Sequence, residues 1–177
     1  MLPDYLKEDL DVVFVGTSVA TASASRGHYY AGRGNKFWEF LWEADLTGER
    51  LLVPEQDAKV LEYRIGLTDV VKGRASSSDS LLRSSDYDVP GFIGKIEALK
   101  PFVVAFNGKQ AAQKVFSALR KGEPQLGLAE WTLDDSRVYV LPSSSGSSAD
   151  PDHYAPKGSK AEWWREFGDW LRRSSRS

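Results

Sequence analysis

Three groups of residues in this chain have the types and spacing to do chemistry. The first is Gly16-Thr17-Ser18-Val19-Ala20, which follows an apolar β-branched run and copies the outline of a nucleophile elbow, with Ala20 in the last glycine's place. An elbow leads into a helix, and its serine needs a histidine base. Here residues 21–34 read as loop, and His153 is the one histidine that follows in the order such enzymes use. A serine hydrolase acting through Ser18 is the remote alternative. The second group is Tyr29-Tyr30, set in a Gly-rich stretch rather than on a periodic apolar face. Aromatic faces placed there either stack on a nucleic-acid base or pack the loop with their hydroxyls in water. The third, Asn107-Gly108-Lys109-Gln110, holds a Gly-Lys pair but lacks the upstream glycine of a phosphate loop, so it reads as a strand-to-helix turn. Arg26, Arg33, Lys36, Lys72 and Arg74 flank these loops, where each serves either as a phosphate contact or as solvated surface.

The elements around these groups set where they lie. Residues 11–15, 101–106 and 137–141 are short, continuous apolar runs of the kind buried on both faces of a parallel sheet. Helical spacing predicts helices over 35–44, 54–63, 90–99, 109–119 and 161–173. In the 35–44 helix, Phe37, Trp38, Leu41 and Trp42 share one stripe and Phe40 falls off it; Trp163, Trp164, Phe167, Trp170 and Leu171 form the stripe of the last helix. Strands alternating with helices imply an α/β fold, a three-layer α/β/α sandwich around a short, mainly parallel sheet. Ligands of such sheets bind at the carboxyl ends of strands. Two small-residue loops follow strands there, 16–34 and 142–149, and together they could form a narrow cleft lined by backbone N–H groups. The Ser-rich stretch 76–85 reads as a mobile loop or crossing segment.

Composition narrows the chemistry further. The chain has 177 residues and no cysteine, which removes a catalytic thiolate, thiolate zinc sites and iron–sulfur clusters. Its two histidines, His28 and His153, are far apart, so no metal is expected. There are 23 basic and 25 acidic residues; from Lys157 onward the count is 6 basic against 3 acidic, which leaves a mildly acidic body of 17 against 22. Such a body neither advertises nor excludes a polyanion partner. The expectation is one domain over 1–177 with a basic C-terminal helix and tail at 157–177, cytoplasmic and nucleoid-associated, given no long apolar run and no signal-peptide start.

A resemblance runs through the same segments. Gly16, the small-residue loop, Gly27, Tyr30, Ala31, Asn35, Phe37 and Trp38 occur in the order of the first motif region of the mismatch-specific uracil/thymine-DNA glycosylases. The similarity continues through Tyr63-Arg64-Ile65-Gly66-Leu67-Thr68, through Gly108-Lys109-Gln110, and into Leu141-Pro142-Ser143-Ser144-Ser145-Gly146. It covers the chain to about residue 149, and the ordered set is more specific than any one piece. It implies a three-layer α/β sandwich and a monofunctional enzyme of base excision repair. That enzyme hydrolyses the N-glycosidic bond of a flipped uracil, or of a related deaminated or damaged base, and leaves an abasic site. DNA carrying such a base is the implied partner, a monomer is expected, and no cofactor is needed. Base binding falls to Gly16, Thr17, Tyr30, Asn35 and Ser143, and the wedge loop to Ser145, Gly146, Ser147 and Ser148.

Two departures from the family pattern carry weight. Ser18-Val19 stands where the family has the Asn-Pro whose Asn orients the attacking water, and a hydroxyl lacks the reach and carbonyl of that amide. Ser143 replaces the Asn that reads the base, and Ser147 replaces the apolar wedge. A relative that binds DNA lesions with little or no catalysis is therefore the alternative function. If the chain is an enzyme, another group must hold the water and balance positive charge at the sugar. Asp69 is the candidate, alongside Ser18: it follows the motif-like 63–68 stretch, where the chain should pass the first loop, although an Asp after Thr also serves as a turn or cap residue. Asp79, Asp86 and Asp88 fall in or beside the Ser-rich stretch and are expected to be too mobile for the role.

Overall fold

The computed structural model describes residues 2–18, 20–72, 82–146 and 150–174. Four strands run parallel: β1 (Val12–Gly16), β2 (Ile65–Asp69), β3 (Val103–Asn107) and β5 (Ser136–Leu141); β4 (Gly127–Leu133) pairs antiparallel with β5 at one edge. The order across the sheet is β2-β1-β3-β5-β4. Helices α1 (Thr21–Arg26), α2 (Phe37–Glu43), α3 (Val89–Leu99) and α4 (Lys109–Ala118) lie between strands and α5 (Lys160–Ser174) follows β5, with 3₁₀ segments at Pro54–Tyr63, Ser84–Asp86 and Pro151–His153.

Strand alternation divides the apolar residues between two cores. Val12, Phe14, Val103, Ala105, Tyr139 and Leu141 face α2 and α5; Val13, Val15, Val104, Phe106, Val138 and Val140 face α3 and α4. That two-sided burial is why the strands read as unbroken apolar runs. Burying a side chain such as Phe14 contributes about 1.5–3 kcal/mol. The aromatic layer is densest under α5, where the Trp164 ring lies between Phe14 (5.6 Å) and Phe40 (5.3 Å). The outer edge of β2 is covered by the N-terminal segment, in which Tyr5 makes two backbone hydrogen bonds with Leu67 (3.0 and 2.9 Å).

Several sequence expectations need correction. Phe40 is only 5% exposed and Trp42 is 44% exposed, the reverse of the 35–44 stripe. The helix is covered on two sides, by the sheet and by α5, so its buried face is wider than one stripe and is centred away from Trp42. Residues 54–63 form a 3₁₀ segment rather than an α-helix. The 21–34 stretch is not all loop: α1 occupies its start and ends on Gly27, whose φ of 75° is a left-handed conformation favoured by glycine. Asp88 is an ordered N-cap, accepting the Gly91 N–H (3.0 Å), and Asp86 accepts the Arg83 N–H (2.7 Å). Most of the Ser-rich stretch, with Arg74 and Asp79, lies outside the described residues.

Candidate active site at the strand ends

The chain leaves β1 for β2 on one side and later returns to β3 on the other, so β1 borders the switch point where such sheets bind ligands. Register brings the strand ends level. Gly16 pairs with Asp69, Val15 with Phe106, and Asn107 with Leu141. Asp69, Gly16, Asn107 and the Pro142-Ser143 exit of β5 therefore line one rim of the sheet.

Asp69 is 4% exposed. Its Oδ1 lies 2.6 Å from the point where a Cβ on Gly16 would stand, and the Tyr30 hydroxyl lies 3.2 Å from the same point. Glycine at position 16 thus makes room for a carboxylate and a phenol to face each other across the end of β1. The chain beyond Asp69 stays beside the first loop, because Val70 and Val71 donate backbone hydrogen bonds to Gly16 and Thr17 (3.0 and 2.8 Å). Thr17 is buried and Ser18 is half-buried next to it.

Tyr30 holds a left-handed backbone, φ 53°, and its ring stacks on Phe37 with 4.0 Å between centroids. Its hydroxyl is buried beside the Asn107 side chain. Burial, with the Asp69 charge adding to it, pushes the Tyr30 hydroxyl well above the usual phenol range, so it keeps its proton. Tyr29 is buried beside it, with 6.1 Å between the two ring centres. Its backbone N–H donates to the buried Asp57 (2.9 Å), which also takes the Tyr5 hydroxyl (3.2 Å) and contacts His28 Nδ1 (3.3 Å). Asp57 therefore anchors the turn from which Tyr30 projects.

The second loop is fastened to the first by a chain of side chains. Asn107 accepts the Ser144 N–H and donates to Ser144 Oγ, both at 2.9 Å; Ser144 Oγ donates to Asn35 Oδ1 at 2.8 Å. Asn35 Oδ1 also takes the Phe37 N–H (3.0 Å), and Ser144 O takes the Lys36 N–H (2.9 Å). Asn35 thus commits its carbonyl to this latch. Ser143 Oγ accepts the Ser145 N–H (3.1 Å), Lys160 Nζ donates to Ser145 O (3.1 Å), and Trp164 Nε1 donates to Pro142 O (3.0 Å). Burial lowers the Lys160 pKa. Gly146 touches the first loop directly, since a Cβ there would stand 2.7 Å from Gly34 O.

The structure brings Gly16, Thr17, Ser18, Tyr30 and Asp69 together on one side of the rim, and Asn35, Ser143, Ser145 and Gly146 on the other. Ser147 and Ser148 lie outside the described residues. His153 is exposed, with its ring nitrogen 3.2 Å from Asp150 O. Sequence reasoning read Asn107 only as part of a strand-to-helix turn and Ser144 only as part of the motif-like 141–146 stretch, and gave neither a role in the site. The available signal was a polar residue closing an apolar strand run at the ligand-binding end of the sheet. Lys72, read as a phosphate contact or surface residue, sits between Asp4 and Asp69. Among the described residues no group of three or more His, Cys, Asp or Glu side chains is placed to hold a metal, and no helix is long and apolar enough to cross a membrane.

Comparison with known proteins agrees with this fold. The family model described as the uracil DNA glycosylase superfamily matches residues 3–168. The chain is also similar to the solution NMR structure of a candidate uracil DNA glycosylase from Methanosarcina acetivorans. That similarity has a TM-score of 0.66 and 26% identity, over 97% of this chain and 96% of that one.

Proposed function

This chain belongs to the uracil DNA glycosylase superfamily, and from that premise we propose that it hydrolyses the N-glycosidic bond of uracil, or of a related deaminated or damaged base, in DNA. The observation that carries the proposal is the buried Asp69 carboxylate brought against Gly16 beside Tyr30 at the ligand-binding end of the sheet.

The target base leaves the stack, at about a few kcal/mol for extrusion, and enters the rim between the two loops. Tyr30 offers ring surface and a protonated hydroxyl. Asn107, whose amide orientation is set by both hydrogen bonds to Ser144, has a second Nδ2 hydrogen to offer a base carbonyl. These donors stabilise negative charge as the electrons of the breaking C1′–N bond pass to the base. The sugar becomes oxocarbenium-like, and the Asp69 carboxylate balances that charge and orients the water that adds to C1′. The water's second proton passes to Asp69 or solvent, the departing base anion takes up a proton, and an abasic site remains. The chemistry is monofunctional, with no covalent amine intermediate.

Ser18, in the place of the family's water-orienting Asn, favours a second reading in which the chain binds lesions without cleaving them. Release of free base from a uracil-containing oligonucleotide under single-turnover conditions separates the two. Product formation that tracks enzyme concentration supports the glycosylase; tight binding with no product supports the binder.

A further inference from the structure

Lys72 follows Asp69 by three residues, at the exit of β2, and is 26% exposed. Its Nζ lies 2.9 Å from Asp4 Oδ1, 3.1 Å from the Tyr29 hydroxyl and 3.8 Å from Asp69 Oδ2. The same ammonium is 5.7 Å from the centre of the Tyr29 ring. A flexible lysine side chain on a strand exit is thus held from the N-terminal segment, the first loop and β2 at once.

Asp4 is itself firmly placed. It accepts Lys95 Nζ from α3 (2.6 Å) and Thr68 Oγ1 from β2 (2.7 Å), and its neighbour Tyr5 is pinned to Leu67 through the backbone. Burial raises the Asp4 pKa, but the hydrogen bonds from Lys95, Thr68 and Lys72 outweigh it, and the carboxyl is held below its usual range. Pro3 O takes the Tyr29 hydroxyl proton (2.9 Å), so that phenol donates to the N-terminal segment while accepting from Lys72. Burial, then the Asp69 and Asp4 charges, push the Tyr29 hydroxyl far above the phenol range, which keeps it a neutral bridge.

Among the described residues, the charged and titratable groups facing this point are Asp4 from the N-terminal segment, Tyr29 and Tyr30 from the first loop, Asp69 from β2, and Lys95 from α3 by way of Asp4, so that two carboxylates meet two ammoniums there. Without Lys72, Asp4 and Asp69 would face each other across the position the ammonium fills, with Lys95 on the far side of Asp4.

We propose that Lys72 is a positioning residue of the glycosylase site, an ammonium clamped by Asp4 and Tyr29 that holds the Asp69 carboxylate in place over Gly16 and in its ionised form. The proposal rests on the reading of Asp69 as the catalytic carboxylate. It makes the N-terminal segment, through Asp4, part of the catalytic scaffold.

The test is the pH profile of single-turnover base release from a uracil-containing oligonucleotide, measured for the full chain and for Lys72→Met, Lys72→Gln, Lys72→Arg and Asp69→Asn, with thermal melting of each. Removing a cation from beside a carboxylate favours its protonated form, so the acid limb should move up by about one pH unit or more in Lys72→Met. The rate at pH 7 should fall about tenfold or more, recover toward the wild-type value as pH rises, and leave oligonucleotide affinity within about threefold. Lys72→Arg should return the limb toward its original position. Lys72→Gln, which keeps a donor for Asp4 without the charge, carries the same expectation as Lys72→Met should that variant fold poorly. An acid limb that stays put in folded Met and Gln variants overturns the role of Lys72, even where the melting temperature falls. If Asp69→Asn loses about 100-fold while that limb stays put, only the Lys72 proposal fails; if Asp69→Asn keeps its rate, the reading of Asp69 fails and this proposal fails with it.

Discussion

Gly16 and Asp69, paired in register at the ends of β1 and β2, are so close that a single methyl group cannot enter between them: a Cβ on Gly16 would stand 2.6 Å from Asp69 Oδ1. The missing side chain at the end of β1 lets a carboxylate from the next strand lie over it, next to the Tyr30 hydroxyl. Everything else at the rim is arranged around that contact.

Gly16→Ala is accordingly expected to disturb the site more than the fold. The added methyl displaces Asp69 or Tyr30 and strains the strand end, an overpacking effect of about 1–3 kcal/mol. The loss in single-turnover rate should be on the order of 10²-fold or more, the scale of removing one preorganised group. Near-normal rates in Gly16→Ala would mean that the carboxylate is not needed where the structure puts it.

The latch between the loops should show itself in stability. Ser144→Ala removes the hydroxyl that joins Asn107 to Asn35, so that Asn107 Nδ2 loses its acceptor beside a buried position while Asn35 Oδ1 keeps only the Phe37 N–H. A cost of about 1–3 kcal/mol is expected for such a loss. At about 2–4 °C per kcal/mol for a chain of this size, thermal melting would register the change easily.

Much of this arrangement was legible in the chain, and the rest was hidden for identifiable reasons. The apolar runs ending near Val15, Phe106 and Leu141 announced three parallel strands, because two-sided burial leaves no polar alternation to confuse them. β2 was harder: Gly66, Thr68 and Asp69 dilute its apolar character, yet the strand is buried throughout. Periodicity placed Trp42 inside and Phe40 outside because it describes one helix alone, whereas the cover over Phe40 comes from Trp164, far along the chain. Asn107 failed to stand out for the same reason, since its meaning comes from Ser144, 37 residues away. Tyr30 was identifiable as a site candidate because it is a ring in a glycine-rich loop, and Asp69 because it follows the motif-like 63–68 stretch.

Asp4 gives the fold an acid-side signature. Its folded pKa lies below the ordinary 3.8, so its contribution to stability is present above that value and is lost as pH falls through the folded pKa. Thermal melts from pH 7 down to about pH 2 should therefore show wild type above Asp4→Asn at neutral pH, with the gap closing below about pH 4. A gap that persists unchanged at the acid end would mean that the charge of Asp4 is not what stabilises its contacts.

The second loop sets an expectation for substrate form. Serine at position 147 fills far less of a vacated base stack than a leucine, so an extruded base should be held weakly in duplex DNA. Uracil in single strands should be processed at least as fast as in duplex, with weak dependence on the opposing base. A rate on guanine mispairs more than about a hundredfold above single strands would contradict this, since it would require a wedge from elsewhere.

The central claim is that Asp69 holds the attacking water in place of the family's Asn, whose position Ser18 occupies here, and adds a negative charge that a neutral amide lacks. The most direct measurement compares single-turnover release of uracil from an oligonucleotide by wild type, Asp69→Asn and Ser18→Ala, each checked for folding by thermal melting. The account predicts a loss of about 10²-fold or more for Asp69→Asn with little change in DNA affinity, and a smaller loss for Ser18→Ala. Asp69→Asn retaining nearly full activity while Ser18→Ala abolishes it would contradict the account and return the attacking water to the end of β1.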